Sequence, residues 1–301
     1  MKKVIDLDVR KGMKIDDLVK QMESVGFQAT HLFRGIEVIR RMREKKAKIF
    51  LTFTANMVAS GLRSMFAKLC EKRAVDIIIT TGGAIEHDFI RSFKPYLMGN
   101  FNLDDLELRK KGMNRIGNIL VPNDRYVLLE KKIQPLLKRI YKEKKVTNPS
   151  DLARHMGKLT KDKNSFLYWA ARNDIPVFSP GITDSAIGLQ TYFFKQDHPD
   201  FGIDVTGDMK ELADIVLNAE KTGGIILGGG ISKHHAIGAN IVRDGMDYAV
   251  YVTTSQPWDG SLSGARTNEA VSWGKINRKA NHVTIDGDAT VIFPLLISEF
   301  L

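Results

Sequence analysis

The chain has 301 residues, of which 43% are hydrophobic and 27% charged, with a formal net charge of +10. This length suits one large domain or two smaller ones, and the single cysteine, Cys70, excludes an internal disulfide and suits a reducing compartment. No apolar run is long enough to span a membrane, and the dispersed basic residues lack interleaved aromatics, so neither a membrane nor a nucleic acid is expected as a partner.

The first half of the chain predicts a helical arm followed by two strand–helix units. The first twelve residues mix acids and bases without an apolar segment, so we expect a cytoplasmic protein rather than a secreted one. Apolar side chains at helical spacing over residues 15–46, with Gly26 as a stop, predict the arm. Residues 47–54 and 75–81 are apolar throughout, which is typical of buried parallel strands, and a helix is predicted over 58–72 between them.

The second half repeats the alternation after a weaker region. Residues 103–160 are interpreted as an insertion or cap, with helices predicted over 126–141 and from Ser150, capped by Ser150 or Asn148. Beyond it, the predicted elements are a strand at 175–178, a helix at 209–221, strands at 224–227, 248–254 and 282–285, and an apolar segment at 291–297. The whole pattern predicts a single α/β domain over residues 1–301, a Rossmann-like three-layer sandwich with a mostly parallel sheet.

Small or polar residues follow several of the predicted strands, in the runs TAN, TTGG, SPGITD, GGG, TTSQ and GDAT. A doubly wound sheet binds its ligand at the carboxyl ends of its strands, and exposed amides there can hold phosphates. The repetition predicts a nucleotide site, in which Asp184 and Asp288 could accept hydrogen bonds from ribose hydroxyls or an amide. The chain has no GxGxxG run, so this is not the common dinucleotide fingerprint.

The run DGSLSGARTNEAVSWGK, residues 259–275, places a carboxylate, an indole and an amine close together. Glu269 and Trp273 suit a cationic, partly apolar ligand through charge pairing and cation–π contact. A lysine in a desolvated pocket can lose its proton and act as a nucleophile, which is the role suggested for Lys275. On one unbroken helix Lys275 would point away from the other two, so we expect either that Gly274 breaks or ends a helix here or that Lys275 serves a pocket built by other segments.

His234 and His235 follow the glycine triplet. Adjacent side chains point in different directions on a helix or a strand, which argues against joint metal binding, and no HExxH run or carboxylate cluster predicts a metal site. One of the two histidines could serve as an acid or base beside a reacting amine. The residues alone do not choose between them.

Two long runs, GGGISKHHAIGANIVRDGMDYAVYVTT and DGSLSGARTNEAVSWGKI, closely resemble the deoxyhypusine synthase family, as do TANMVASGLR, DIIITTGGAIEHD, SPGITD and GDATVIFPLL. The resemblance is to an archaeal-like member and covers most of the chain. It implies a cytoplasmic homotetramer that uses NAD to move the aminobutyl group of spermidine onto one lysine of the translation initiation factor 5A precursor. An imine on an enzyme lysine is the implied intermediate.

The resemblance also implies roles for individual residues. Lys275 corresponds to the Schiff-base lysine and His234 to the acid/base residue. The implied polyamine contacts are Glu86, His87, Gly260, Ser261, Glu269 and Trp273. The implied NAD contacts are Ala55, Asn56, Met57, Val58, Ala59, Thr81, Gly82, Gly83, Asp184, Gly229, Thr254, Asp288 and Ala289.

The chain departs from the family at three positions. Eukaryotic members carry acidic residues where this chain has His87, Leu189 and Leu262, so the polyamine preference stays open. One alternative is a homospermidine-forming enzyme with putrescine as acceptor. Another is a non-catalytic subunit that binds NAD and regulates a partner, although the presence of Lys275 and His234 argues against it. The N-terminus is also short for the family's arm that covers the active-site entrance.

Overall fold

The computed structural model describes residues 2–301, which fold into two compact units. The first unit comprises the chain up to Phe53, Ala74–Ile79 and Glu211–Leu301. The second unit comprises Thr54–Arg73 and Thr80–Lys210. Each unit is therefore built from segments that are distant in sequence.

The strands are, in chain order, β1 (Lys48–Thr52), β2 (Ile77–Ile79), β3 (Leu97–Met98), β4 (Met113–Ile116), β5 (Ile119–Pro122), β6 (Val146–Thr147), β7 (Val177–Phe178), β8 (Gly202–Ile203), β9 (Thr222–Leu227), β10 (Met246–Thr253) and β11 (Ile276–Asp286). The helices are α1 (Ile15–Gln21), α2 (Phe27–Glu44), α3 (Ala55–Ala59), α4 (Arg63–Glu71), α5 (Gly82–Arg91), α6 (Asp105–Lys110), α7 (Asp124–Glu143), α8 (Pro149–Leu159), α9 (Phe166–Arg172), α10 (Ala186–Asp197), α11 (Gly207–Asn218), α12 (Gly230–Ala239), α13 (Thr267–Ser272) and α14 (Ala289–Ile297). Short 3₁₀ turns cover Met22–Ser24, Asn240–Arg243, Pro257–Asp259 and Ser298–Phe300.

The first unit contributes five strands to a parallel sheet, in the order β11-β10-β9-β1-β2. Helix α2 covers one face, because a Cβ added at Gly35 would lie 2.9 Å from Ile285 and 3.3 Å from Val250. Helix α12 covers the other face, where its Lys233 contacts the ring of Tyr251. Val250 and Tyr251 are adjacent on β10, and adjacent residues of a strand point to opposite faces of the sheet, so α2 and α12 lie on opposite sides. These three layers confirm the predicted Rossmann-like α/β sandwich.

The predicted N-terminal helices form with a break at the expected place. Gly26 adopts a positive φ of 101°, and α1 with its following 3₁₀ turn ends before it, while α2 begins directly after it. The apolar stripe of α2 is buried, including Leu32, Ile36 and Ile39. The residues that make the segment amphipathic are therefore the ones that make α2 a layer of the sandwich.

The second unit corrects two details of the sequence interpretation. The single helix predicted over 58–72 is wrong, because the chain becomes extended at Ser60 and divides into α3 and α4. The Ser60 hydroxyl donates to the carbonyl of Met57 and accepts from the amide of Leu62, so it serves both helix ends. The antiparallel sheet β3-β5-β4 was not predicted, because its strands are short and lie partly exposed.

A buried ion pair connects α4, α5 and α9 in the second unit. Asp88 is fully buried and accepts from the Nε of Arg63 at 2.7 Å, with Ser165 and the amide of Leu167 as further donors. Arg63 also pairs with Asp162 at 2.6 Å. Burial raises the pKa of the Asp88 carboxyl, while the Arg63 charge and the hydrogen bonds oppose that rise.

Across residues 2–301, no helix combines the length and the apolar character that crossing a membrane requires.

Candidate active site

Three strands of the first unit end at the same edge of the sheet. Leu227 pairs with Val252, and Thr253 pairs with Asp286, so the loops after β9, β10 and β11 emerge together. These loops carry four of the residues assigned to the cofactor, namely Gly229, Thr254, Asp288 and Ala289. The structure therefore brings this part of the predicted nucleotide site to the carboxyl edge of a parallel sheet, where such folds bind ligands.

The glycine triplet after β9 allows a tight entry into α12. Gly228 and Gly230 adopt positive φ values of 74° and 67°, which strongly favour glycine. At Gly229 a side chain is excluded, because its Cβ would lie 2.2 Å from the Ser263 hydroxyl oxygen. No side chain caps the first amides of α12, in contrast to α14, where Asp288 caps the amide of Thr290. The α12 amides are thus free to face an anionic group.

Lys275 is positioned by the end of α13. The amide of Gly274 donates to the carbonyl of Val271, and the amide of Lys275 donates to that of Ala270, which together form a Schellman motif. Gly274 has a φ of 65°, so the helix ends there and β11 starts directly after Lys275. The prediction that Gly274 ends a helix is confirmed. The turn redirects Lys275 relative to the side chains of α13.

A pocket of about 240 Å³ lies between α12, α13 and the loop after β10. Four residues that were predicted to bind the polyamine or to carry the imine line this pocket, namely Gly260, Glu269, Trp273 and Lys275. His234 lines it as well, and so does Leu262, one of the positions that depart from the family. The three residues predicted to bind and attack an amine, Glu269, Trp273 and Lys275, thus line one cavity. The apolar side chain of Leu262 lines the same cavity.

Two contacts define the chemistry of this pocket. The Nζ of Lys275 lies 3.4 Å from Nε2 of His234, close enough for proton exchange between the amine and the imidazole. The same Nζ lies 5.2 Å from the ring centroid of Trp273, within cation–π range. Of the two adjacent histidines, His234 is the one that faces Lys275. His235 is half-buried, and its pKa is lowered mainly by that burial and further by His234.

Lys233 is a pocket residue that the sequence interpretation missed. It is 1% exposed, and burial lowers its pKa to about 8 against the opposing charge of Glu269. Its helical neighbours Ala236 and Ile237 are also buried, so the spacing of α12 gave a signal that Lys233 faces inward.

The predicted cofactor residues of the second unit converge on the starts of two helices. A Cβ on Gly83 would lie 2.9 Å from Cβ of Ala55, and one on Gly82 would lie 2.6 Å from Oγ of Ser185. The amino ends of α3 and α5 and the loop before α10 therefore meet closely. Thr81 caps α5 through the amide of Ala84. Asn56, Met57, Val58 and Ala59 belong to α3, and Asp184 to the loop before α10.

Glu86 and His87 are both buried on α5, in unusual protonation environments. Burial raises the pKa of Glu86 to about 7, with a smaller effect of Asp184 in the same direction, while its hydrogen bond from the amide of Ala186 opposes the rise. Burial and Arg91 lower the pKa of His87 to about 4, and its Nδ1 lies 2.8 Å from the hydroxyl of Tyr96. A neutral imidazole therefore stands where an acidic residue is expected in eukaryotic members. Leu189, the remaining departure, is about half exposed on α10.

The Glu86 environment predicts a pH-dependent stability. Unfolding returns the pKa of Glu86 from about 7 to about 4.5, so the contribution of Glu86 to the free energy of unfolding should fall as the pH rises from about 4.5 to 7, by up to about 3 kcal/mol. The lowered pKa of His87 acts in the opposite direction, and equally in the wild type and in Glu86→Gln. Glu86→Gln keeps an acceptor for Ala186 but does not ionise, and should lack this loss. Urea unfolding of both proteins at pH 5 and pH 8 measures the effect. If the free energies of unfolding of the wild type and of Glu86→Gln differ by the same amount at pH 5 and at pH 8, the prediction is contradicted.

Among residues 2–301, no cluster of three or more His, Cys, Asp or Glu side chains is arranged to hold a metal ion.

Comparisons with known proteins agree with this architecture. The family model described as deoxyhypusine synthase matches residues 17–300. A Pyrococcus furiosus protein named as a probable deoxyhypusine synthase is 47% identical, with 94% of this chain and 89% of that protein covered. One from Thermoplasma acidophilum with the same name is 44% identical over 99% of this chain and 97% of its own. The crystal structure of a homologue from Entamoeba histolytica superposes with a TM-score of 0.72 at 27% identity, covering 99% and 96% of the two chains.

Proposed function

Because the chain belongs to the deoxyhypusine synthase family, we propose that it transfers the aminobutyl group of spermidine to one lysine of the translation initiation factor 5A precursor, with NAD as cofactor. The observation that carries this proposal is the contact of Lys275 with His234 in a pocket that also holds Glu269 and Trp273. These are a nucleophile, a base, an anion and an aromatic ring, as aminobutyl transfer needs.

In this proposal Lys275 is the covalent carrier. Its amine, after losing a proton to His234, adds to the carbon of an imine derived from the secondary amine of spermidine. Expulsion of 1,3-diaminopropane, which takes up a proton, leaves the four-carbon group on Nζ of Lys275 as a new imine. The acceptor lysine then displaces Lys275 in the same way. Glu269 pairs with the terminal ammonium, and Trp273 contacts the adjacent methylenes.

The residues at the strand ends fit NAD. In the first unit, the uncapped α12 amides suit an anionic group, and Asp288 and Thr254 emerge at the same sheet edge. In the second unit, Gly82 and Gly83 leave no room for side chains. When bound by these residues, NAD would supply hydride chemistry, as the acceptor of a hydride from the carbon beside the secondary amine and, in its reduced form, as the donor to the carbon of the final imine.

We also propose a homotetramer in the cytoplasm, with active sites that more than one chain completes. Trp273 is 67% exposed in the isolated chain, and Lys275 is only half-buried. An imine intermediate requires protection from water, which these two residues lack in one chain.

One observation favours a second candidate within the same chemistry. Leu262 lines the pocket of the first unit where eukaryotic members are expected to carry an acidic residue, and Leu189 is a second such position, so the amine-binding residues have diverged. Putrescine as acceptor, which gives homospermidine, is therefore the alternative to a protein lysine. A non-catalytic regulatory subunit is disfavoured, because such a subunit would need neither the amine of Lys275 as a nucleophile nor His234 as its base.

One assay separates these functions. The purified protein is incubated with NAD and spermidine labelled in its aminobutyl group, with either the factor 5A precursor or putrescine as acceptor. Label on the precursor is the expected result. Label in homospermidine alone would favour the second candidate, and no release of 1,3-diaminopropane under any condition would favour the non-catalytic subunit.

A further inference from the structure

The active-site pocket contains two lysines, and their surroundings differ. Lys275 is half-buried, with its amine near His234 and Trp273. Lys233 is almost fully buried, and its amine donates at 2.7 Å both to the carbonyl of Leu262 and to that of Ala265. One amine is placed for reaction, and the other is engaged with backbone.

The amine of Lys233 is engaged by two hydrogen bonds and one aromatic contact. Two of the three ammonium protons are used by the two carbonyls, and Nζ lies 4.3 Å from the ring centroid of Tyr251, in cation–π range. An amine whose hydrogen bonds and aromatic contact surround it cannot present a lone pair to an imine carbon. Lys233 is therefore not the covalent carrier, although it lines the same pocket.

The segment that Lys233 contacts, residues 260–265, is also held by the Thr253 hydroxyl, which donates to the carbonyl of Ser263. Gly260 adopts a φ of 71°, and the amides of Gly264 and Ala265 both donate to the carbonyl of Ser261 in a single turn. Close packing limits its position, because a Cβ on Gly264 would lie 1.9 Å from the carbonyl oxygen of Gln256. The carbonyls of Leu262 and Ala265 point inward to Lys233, while Leu262 also lines the pocket.

We propose that Lys233 is a positioning residue whose ammonium group holds residues 260–265 as one wall of the polyamine pocket. Its position three residues after Gly230 places it on the inner face of α12, with its neighbour His234 directed to Lys275. One turn of α12 would thus fix both the wall and the base. The link to polyamine binding rests on the proposed function, whereas the restraint on the segment does not.

The test combines hydrogen exchange with kinetics in the full-length protein. Lys233→Met keeps the length and apolar stem of the side chain but removes its donors. We expect exchange of the Gly264 and Ala265 amides to rise at least tenfold, with β10 still protected. We also expect the KM for spermidine to rise about tenfold, while the affinity for NADH, followed by its fluorescence, stays unchanged. Lys279→Met, at an exposed lysine on β11, is the matched control. It should change neither the exchange of the two amides nor the KM for spermidine.

The outcomes distinguish the positioning role from the proposed function. If the wild-type protein shows no aminobutyl transfer, the proposed function fails, and the exchange data still decide whether Lys233 restrains the segment. Unchanged exchange at Gly264 and Ala265 in folded Lys233→Met overturns the proposal, as does a fall in kcat without a rise in KM.

A variant that keeps part of the interaction covers a folding failure. If Lys233→Met does not fold, Lys233→Gln is measured instead, since its shorter amide reaches at most one of the two carbonyls. About threefold faster exchange of the two amides is then expected. Wild-type exchange in Lys233→Gln contradicts the role.

Discussion

Replacing Lys275 with arginine is expected to lower the rate of aminobutyl transfer at least about a thousandfold. A guanidinium keeps the positive charge and the stacking contact with Trp273, which lies 5.2 Å from Nζ, but it does not form an imine. Binding of spermidine and NAD should survive, because Glu269 and the strand-end loops are unchanged. The measurement is the release of 1,3-diaminopropane in single-turnover conditions.

Lys279→Arg is the matched control for this change. Lys279 is an exposed lysine on β11, four residues after Lys275, so arginine there should leave the rate unchanged. Near-normal transfer by Lys275→Arg would remove Lys275 from the mechanism. A loss of both transfer and folding would show up in the thermal unfolding of the variant and would point to a structural role.

Replacing Asp88 with alanine is expected to lower the free energy of unfolding by about 3–5 kcal/mol. The change leaves the guanidinium of Arg63 buried without its main partner, together with the hydroxyl of Ser165 and the amide of Leu167. Asp162, which is partly exposed, compensates only in part. Urea unfolding at neutral pH measures the loss.

Asp105→Asn provides the comparison for this prediction. Asp105 also pairs with an arginine, Arg115, but on the surface, where water replaces the contact. Its change should leave the stability nearly unaltered. Equal effects of the Asp88 and Asp105 changes would mean that burial of the ion pair contributes nothing.

The elements that the sequence predicted well are those whose local pattern matches their burial. Strand β1 is apolar because both of its faces are covered, and Gly26 separates α1 and α2 because its φ of 101° favours glycine. The break at Ser60 was missed, since Ser60 is compatible with a helix and is extended here through its hydroxyl contacts. Strands β3 to β5 were missed because they are short and partly exposed.

The site was predictable where neighbours in sequence carry the geometry. Gly274 ends α13 through a local motif, so the turn at Lys275 could be inferred from spacing. The choice between His234 and His235 depended on α12 facing α13, which only the fold provides. Lys233 was missed because its partners are carbonyls of residues about thirty positions away, and a sequence does not display backbone contacts.

In the proposed reaction Lys275, and not the second lysine of the pocket, carries the aminobutyl group. The most direct measurement is to incubate the protein with NAD and spermidine without an acceptor, reduce any imine with borohydride, and map the modified peptide by mass spectrometry. The expected result is one added aminobutyl group on Lys275. An adduct on Lys233, or full diaminopropane release with Lys275 unmodified, would contradict it.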